Sequence, residues 1–534
     1  MLDEAHRWGR LSNAEDEAAQ RKRASSDPGA YHGDIAAREL HWFDGADWVN
    51  RGEDGHWVGL NTGREPSASP AHPDEWQPWT AAFDDSAAPF YRWFVGAETN
   101  ACFNEVDRHV LAGRGSAIAV IFEGDRWDPS RNDGRGGPVQ QTQVSYRQLL
   151  IETVLRAEVL RSLGLKRGDR VAFNLPNILE QIYYTEAAKR LGIIYTPVFG
   201  GFSAKTLSDR IHDAGARVIV TADGGYRNAE VVPYKETYAD PALDNYVPLG
   251  SALACLNEVL DRYDLGDARE RLADKVAQGL KGEITIERSD LMRELGGAIA
   301  AEESIAAERS AELRTAVARE LAGVTHTVEQ VIVVRYTGQD IVVQPRDRWS
   351  HDLVADATEN VLAVAAEHGF LASSLEALAA LDDRELWQAL ASVHPAQPVA
   401  ADWPLFIIYT SGSTGKPKGV VHTHGGWLAG IAHSMRMVFD ADDDDRIYVV
   451  GDPGWITGQA YLIAAPLALG ICTIIAEGSP LFPHAGRFSS IIERHKATIF
   501  KAGSTFLKAV MTDPASVEDM AAYDMSGVKV ATFC

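Results

Sequence analysis

The stretch Tyr409-Thr-Ser-Gly-Ser-Thr-Gly-Lys-Pro-Lys-Gly419 follows directly on the apolar run Leu405-Phe-Ile-Ile408. No other part of the chain constrains the fold as strongly. A buried-strand pattern here feeds a loop of glycines and hydroxyls that ends in two lysines. Glycines let the backbone approach a ligand closely and adopt positive φ. Successive N–H groups then form a concave nest for anionic oxygens, and the Ser and Thr hydroxyls add donors. Lys416 and Lys418 supply positive charge, and Pro417 stiffens the exit. The ligand class is therefore a nucleotide or a similar polyphosphate. A Walker A loop is excluded: it requires Gly, four residues and then Gly-Lys-Ser/Thr, whereas Gly415-Lys416 is followed by Pro417, and Thr410 stands where the first Gly would be. A flexible Gly/Ser linker is a poor alternative, because linkers carry no ordered Pro-Lys-Gly exit behind a hydrophobic strand.

The segment Thr410-Ser-Gly-Ser-Thr-Gly-Lys-Pro-Lys-Gly419 resembles the ATP-binding signature of the adenylate-forming superfamily, which includes acyl-CoA synthetases, luciferases and peptide-synthetase adenylation domains. Its continuation Val420-Val-His-Thr-His-Gly-Gly426 and the later Gly454-Trp-Ile-Thr-Gly458 resemble the acetyl- and propionyl-CoA synthetase branch more particularly. So do Phe199-Gly-Gly-Phe-Ser203, Thr221-Ala-Asp223 and Trp349-Ser-His-Asp-Leu353. In order and spacing these motifs run through most of residues 30 to 534.

The resemblance implies an α/β fold, the N-terminal domain of an adenylate-forming enzyme, with two sheet-and-helix subdomains. It implies that Thr410, Ser411, Gly412, Ser413, Thr414, Gly415, Lys416 and Lys418 hold the phosphates of ATP, with Thr410 and Lys418 acting in catalysis. Trp455 and Ile456 are then expected beside the acyl chain, and Thr457 near the carboxylate and phosphates. The alternative for Trp455 is a plain core role. Gly200 and Gly201 are expected along the path of coenzyme A, and Arg227 on one of its phosphates, since a planar guanidinium suits bidentate phosphate contact. The family carries a second Arg three positions later. This chain has Glu230, so a solvated surface role for Arg227 stays open. ATP, Mg²⁺ and coenzyme A are the implied co-substrates. NADPH enters only if a reductase module is fused to the same polypeptide.

A chain of 534 residues with 46% apolar and 24% charged residues can bury a large core. The net charge of -24 argues against a nucleic-acid binder or an anionic-membrane binder. Cys102, Cys255, Cys472 and Cys534 show no metal-ligand spacing, and no metal site is expected. Residues 1–10 lack a signal-peptide core, and no apolar run approaches the roughly 20 residues that span a bilayer. A cytoplasmic location is expected.

Residues 1–92 read as a polar extension followed by a wrapping arm, and residues 93–534 as the adenylate-forming domain. Its expected strands include Ile118-Ala-Val-Ile-Phe122, Val171-Ala-Phe173, Val218-Ile-Val220, Val331-Ile-Val-Val334, Ile447-Tyr-Val-Val450, Ile471-Cys-Thr-Ile-Ile475 and Thr498-Ile-Phe500. Helical stretches between them imply parallel sheets. Two helical insertions, at about 238–325 and 355–397, stand outside the resembled pattern. In the first, Leu253, Leu256, Leu260 and Tyr263 share one helical face, as do Ala306, Leu313, Val317 and Leu321. Such helices either pack on their own domain or dock a neighbouring domain or subunit, and a homo-oligomer stays open.

Asp442-Asp-Asp-Asp445 reads as a solvated turn. His422 and His424 read as stabilising the segment after the loop. The chain ends at Cys534 before several of the family's motifs: an adenine-binding segment, a Thr and Glu near the phosphates and Mg²⁺, a ribose-binding Asp and the catalytic Lys of a mobile C-terminal domain. The expectation is a piece of a longer polypeptide, inactive alone. The complete enzyme would activate acetate, propionate or 3-hydroxypropionate through an acyl-adenylate to its CoA thioester. The N-terminal extension and the insertions resemble the synthetase portion of a multifunctional propionyl-CoA synthase, with hydratase and reductase modules downstream. A stand-alone synthetase, a carrier-protein adenylation domain and a non-catalytic interaction module are the alternatives.

Overall fold

Short runs of β-branched and aromatic residues are buried on both faces, the pattern that parallel strands with helical crossovers require. The structure, a computed structural model, describes residues 13–43, 48–50, 57–59, 78–302, 304–410, 417–512 and 515–533. Two large sheets dominate. The seven-stranded sheet runs, edge to edge, Asp347–Trp349, Gln330–Val334, Val218–Ala222, Arg170–Asn174, Ile194–Pro197, Pro404–Thr410 and Lys418–Thr423. All its pairings are parallel except the last. The six-stranded sheet runs Val530–Phe533, Ile499–Ala502, Arg446–Val450, Cys472–Ala476, Ile118–Glu123 and Gln141–Ser145, again parallel except for the last pair.

This is the α/β architecture with two sheet-and-helix units that the sequence implied, and the strand runs named above fall in these sheets. In the seven-stranded sheet the chain leaves Arg170–Asn174 for the neighbour on one side and then crosses to the other side. Reversals of this kind open a crevice at the carboxyl ends of the strands.

The helices start where capping chemistry allows. Ser145 and Gln148 form a reciprocal capping box at the start of Tyr146–Ser162. Ser203 caps Ala204–Ala214, which closes on the left-handed Gly215. Near the N-terminus, Asp27 caps a helix over Pro28–Glu39. Much of the expected extension and arm, residues 1–12, 44–47, 51–56 and 60–77, lies outside the described residues, as does Cys534.

The first insertion builds its own core. Helices Leu249–Asp261, Ala268–Gly279, Arg288–Ala300 and Ala307–Leu321 bury Leu256, Leu260, Leu291, Leu295, Leu313 and Val317 against one another. Leu253 and Tyr263 are only partly buried at its margin. Ala306 departs from the expected face: it precedes its helix and is exposed. Among the described residues of 246–321 no large apolar side chain is exposed, so the amphipathic faces are used up internally. The insertion sits on helix Ala204–Ala214. There Lys205 Nζ lies 2.8 Å from Glu283, and Asp209 accepts the Thr285 N–H at 2.9 Å. The second stretch packs differently: Ala357, Val361, Leu386 and Leu390 join the main core.

The aspartate run is not wholly solvated. Asp445 turns inward, accepts the Thr498 hydroxyl at 2.6 Å and lies 2.6 Å from Lys529. Among the described residues no helix is long and apolar enough to cross a membrane.

Candidate active site

Strands Pro404–Thr410 and Lys418–Thr423 pair antiparallel, with Thr410 directly across from Lys418. The register brings the two ends of the glycine-rich loop together and leaves both residues exposed at the tip. Ser411, Gly412, Ser413, Thr414, Gly415 and Lys416 lie outside the described residues. Behind the tip, His422 stacks on Phe406 with ring centroids 4.7 Å apart. The fully buried His424 accepts the Ala101 N–H at 3.0 Å, and loss of water pushes it down to about 3, so it stays neutral.

The Gly-Trp-Ile-Thr-Gly turn owes its shape to close backbone approach. A Cβ on Gly454 would lie 2.2 Å from the Phe199 nitrogen, and one on Gly458 would lie 2.0 Å from the Asp452 carbonyl oxygen. With no Cβ at 454, the turn abuts the Phe199–Ser203 loop, and Trp455 meets Phe199 and Phe202 at 5.6 and 5.4 Å. Trp455 is 49% exposed and Ile456 is 42% exposed, so neither is core. Thr457 stands at the start of the π-helical turn Gly458–Ala464. Gln459 is buried, and its side-chain oxygen and nitrogen are both hydrogen-bonded. It accepts from the Tyr195 hydroxyl at 2.9 Å and donates to the Pro453 carbonyl at 2.6 Å.

Through Arg210, Phe202 also links this turn to the end of strand Pro404–Thr410. The Arg210 guanidinium lies 4.1 Å from the Phe202 ring centroid and 5.6 Å from that of Tyr409, the residue before Thr410. Tyr409 in turn donates to Asp213 at 2.8 Å. Arg210 is 7% exposed, and its Nε and Nη1 find no acceptor among the described residues. Burial lowers its pKa to about 10, and the two aromatic faces supply part of what water would.

A cleft opens where carboxyl ends of strands from both sheets meet. Gly200, Gly201 and Arg227 line it, together with Tyr234, Asp452 and Glu477. Arg227 is exposed, and Glu230 sits directly across from it in the 225–232 hairpin. Asp452 accepts the Gly454 N–H at 2.7 Å. Desolvation pushes its carboxyl up to about 7, against the weaker pull of Arg227. Burial likewise raises Glu477. Sequence reasoning missed Tyr234, Asp452 and Glu477. Asp452 alone left a trace, standing two residues before a glycine-bounded turn.

A sequence model of the AMP-binding enzyme family matches residues 109–295 and 310–534 of this chain, and one of the acetyl-coenzyme A synthetase N-terminus matches residues 75–104. The chain is similar to acetyl-coenzyme A synthetases from three bacteria. It is 32% identical over 457 residues to that of Cupriavidus metallidurans, covering 85% of this chain and 51% of the relative. It is 34% identical over 460 residues to that of Thiobacillus denitrificans, covering 86% and 51%. It is 34% identical over 438 residues to that of Methylobacillus flagellatus, covering 82% and 48%. The chain thus spans about half the length of the curated relatives it matches. Both large sheets, and every segment that meets around this cleft, lie within the matched residues, and the chain belongs to the family of AMP-binding enzymes.

Proposed function

We propose that the full-length protein activates a short-chain carboxylate with ATP and passes the acyl group to coenzyme A. The observation that carries this reading is the Phe199–Ser203 loop, which shares one cleft with Arg227 and packs against the Trp455 turn, in a chain similar to acetyl-coenzyme A synthetases. In the first step a carboxylate oxygen attacks the α-phosphorus of ATP, and pyrophosphate leaves. Such transfer needs positioning and charge neutralisation more than covalent help. Thr410 and Lys418, brought face to face at the loop's root, supply a hydroxyl and an ammonium for the phosphates, which enter as the Mg²⁺ complex. In the second step the coenzyme thiol gives up its proton, sulfur bonds to the acyl carbon, and AMP departs with the electron pair of the broken C–O bond.

Gly200, Gly201 and Arg227 are assigned to the coenzyme, with Arg227 taking a phosphate at the mouth of the cleft. Trp455 and Ile456 are assigned to the acyl chain and Thr457 to the carboxylate end. A bulky pair at that wall suits acids of two to four carbons, which include acetate, propionate and 3-hydroxypropionate. The last of these is the substrate of the finer reading, in which this chain is the synthetase module of a propionyl-CoA synthase and NADPH serves a fused reductase.

Removing the Ile456 side chain tests the acyl assignment in the full-length protein. Ile456→Gly should shift kcat/KM toward acids one or two carbons longer by about 10-fold or more, the scale on which a pocket senses a methylene. Competition between propionate and valerate, with acyl-CoA products read by mass, checks this. An unchanged preference would remove Ile456 from the acyl pocket.

A further inference from the structure

We propose that Glu477 and Asp125 are positioning residues that clamp the 225–232 hairpin so that Arg227 is held for a phosphate of the coenzyme. This rests on the assignment of Arg227 to coenzyme A made above. The hairpin has little stability of its own. Strands Gly225–Arg227 and Glu230–Val232 contribute three paired positions and are joined by Asn228 and Ala229, with φ of 55° and 62°. Two successive left-handed residues make the tight turn that matches strand twist, but such turns favour glycine, and Ala229 carries a Cβ against that preference. Isolated two-stranded hairpins are marginal in water.

The clamp comes from the other sheet. Asp125 follows strand Ile118–Glu123 and Glu477 follows strand Cys472–Ala476, two neighbours in the six-stranded sheet. Glu477 accepts the Tyr226 N–H through Oε1 at 2.7 Å. Its Oε2 accepts the Tyr336 hydroxyl at 2.7 Å and the Asp125 N–H at 3.2 Å. Asp125 accepts the Ala229 N–H through Oδ2 at 2.6 Å, inside the strained turn itself. Its Oδ1 is held by Arg487 at 3.1 Å, in an ion pair with both side chains fully buried.

The two anchored N–H groups, on Tyr226 and Ala229, flank Arg227 along the chain. The Arg126 guanidinium over the Tyr226 ring, at 4.6 Å, adds a third restraint. At the hairpin's root, Asp223 accepts the N–H groups of Tyr336, Thr337 and Gly338 at 2.7 to 2.9 Å. The hairpin therefore bridges the two sheets, rooted in one and pinned by buried carboxylates of the other. Buried hydrogen bonds to carboxylates are among the stronger ones a fold makes.

The test uses the full-length protein and two readouts: the KM for coenzyme A, and pyrophosphate–ATP exchange, which reports adenylate formation without the coenzyme. Glu477→Gln keeps the shape but turns one acceptor into a donor facing donors. It should raise the coenzyme KM about tenfold, a change of about 1.4 kcal/mol, and leave exchange within about twofold. Adding Ala229→Gly, which relaxes the turn, should bring that KM back to within about threefold of the parent. Arg227→Gln should raise the coenzyme KM at least as much.

A Glu477→Gln protein with normal coenzyme KM, while Arg227→Gln is impaired, overturns the clamp and leaves the assignment of Arg227 standing. Arg227→Gln with a normal coenzyme KM overturns both. Parallel loss of exchange and coenzyme use in Glu477→Gln, or no rescue by Ala229→Gly, shows a general structural role and also overturns the clamp.

Discussion

Replacing Lys189 by methionine is expected to destabilise the fold by about 3–5 kcal/mol, the usual effect of stripping one partner from a buried charge cluster. Helix Leu179–Arg190 ends by delivering Lys189 and Arg190 side by side into the interior, and neither side chain has any exposure. Lys189 Nζ lies 2.5 Å from Glu105 and 2.7 Å from Glu186, both fully buried. Arg190 grips Asp107 in bidentate fashion at 2.7 and 3.0 Å, and Trp387 donates to the same carboxylate at 2.8 Å. Desolvation and the neighbouring Glu186 already hold the Glu105 carboxyl well above its ordinary range.

Without the ammonium the two carboxylates face each other unpaired, so protons must enter before the site can be buried. The folded variant then holds protons that the unfolded chain has lost, and its stability falls as the pH rises. The loss on substitution should therefore be larger at pH 8 than at pH 5.5. Denaturant unfolding of parent and variant at the two pH values checks both the size and the sign. A loss below about 1 kcal/mol at pH 8 would show that the cluster does not hold this core together.

Lys418→Ala should slow pyrophosphate–ATP exchange in the full-length protein about 10²–10³-fold, the scale seen when one preorganised charge or donor is removed from a transition state. Among the described residues the Lys418 side chain makes no ion pair. Its side chain is exposed at the end of an antiparallel pair, across from Thr410. Surface changes of that kind move stability by only about 0.5 kcal/mol, so a large kinetic loss with an unaltered melting curve would isolate the electrostatic role. Lys418→Arg, which keeps the charge with different geometry, should recover part of the rate. Exchange at the parental rate in Lys418→Ala would remove this lysine from the reaction.

The parts of the molecule legible from sequence are those written in local patterns. The β-branched run Val331-Ile-Val-Val334 can only be a buried strand. The apolar run ahead of Thr410 marked the strand that leads into the loop, whereas the close approach of the Trp455 turn to Phe199 was not written in its own residues.

What sequence did not reveal depends on contacts between distant segments. Asp125, Tyr234, Asp452 and Glu477 reach the cleft or its hairpin from four separate segments, and the three carboxylates act there by accepting backbone N–H groups, contacts that leave no periodic trace. Asp445 looked like one more member of a charged turn until Lys529 and Thr498 came to meet it. Arg210 sits on an otherwise ordinary helix, and only the two rings beside it mark the place as unusual.

The most direct measurement incubates the full-length protein with ATP, Mg²⁺, coenzyme A and, in turn, acetate, propionate and 3-hydroxypropionate, and follows the products by mass. The account predicts AMP and a CoA thioester of at least one of these acids, formed in equal amounts. Preference for 3-hydroxypropionate would favour the multifunctional synthase, and preference for acetate or propionate a plain short-chain synthetase. Hydrolysis of ATP with no CoA thioester from any of the three, or ADP in place of AMP, would contradict it.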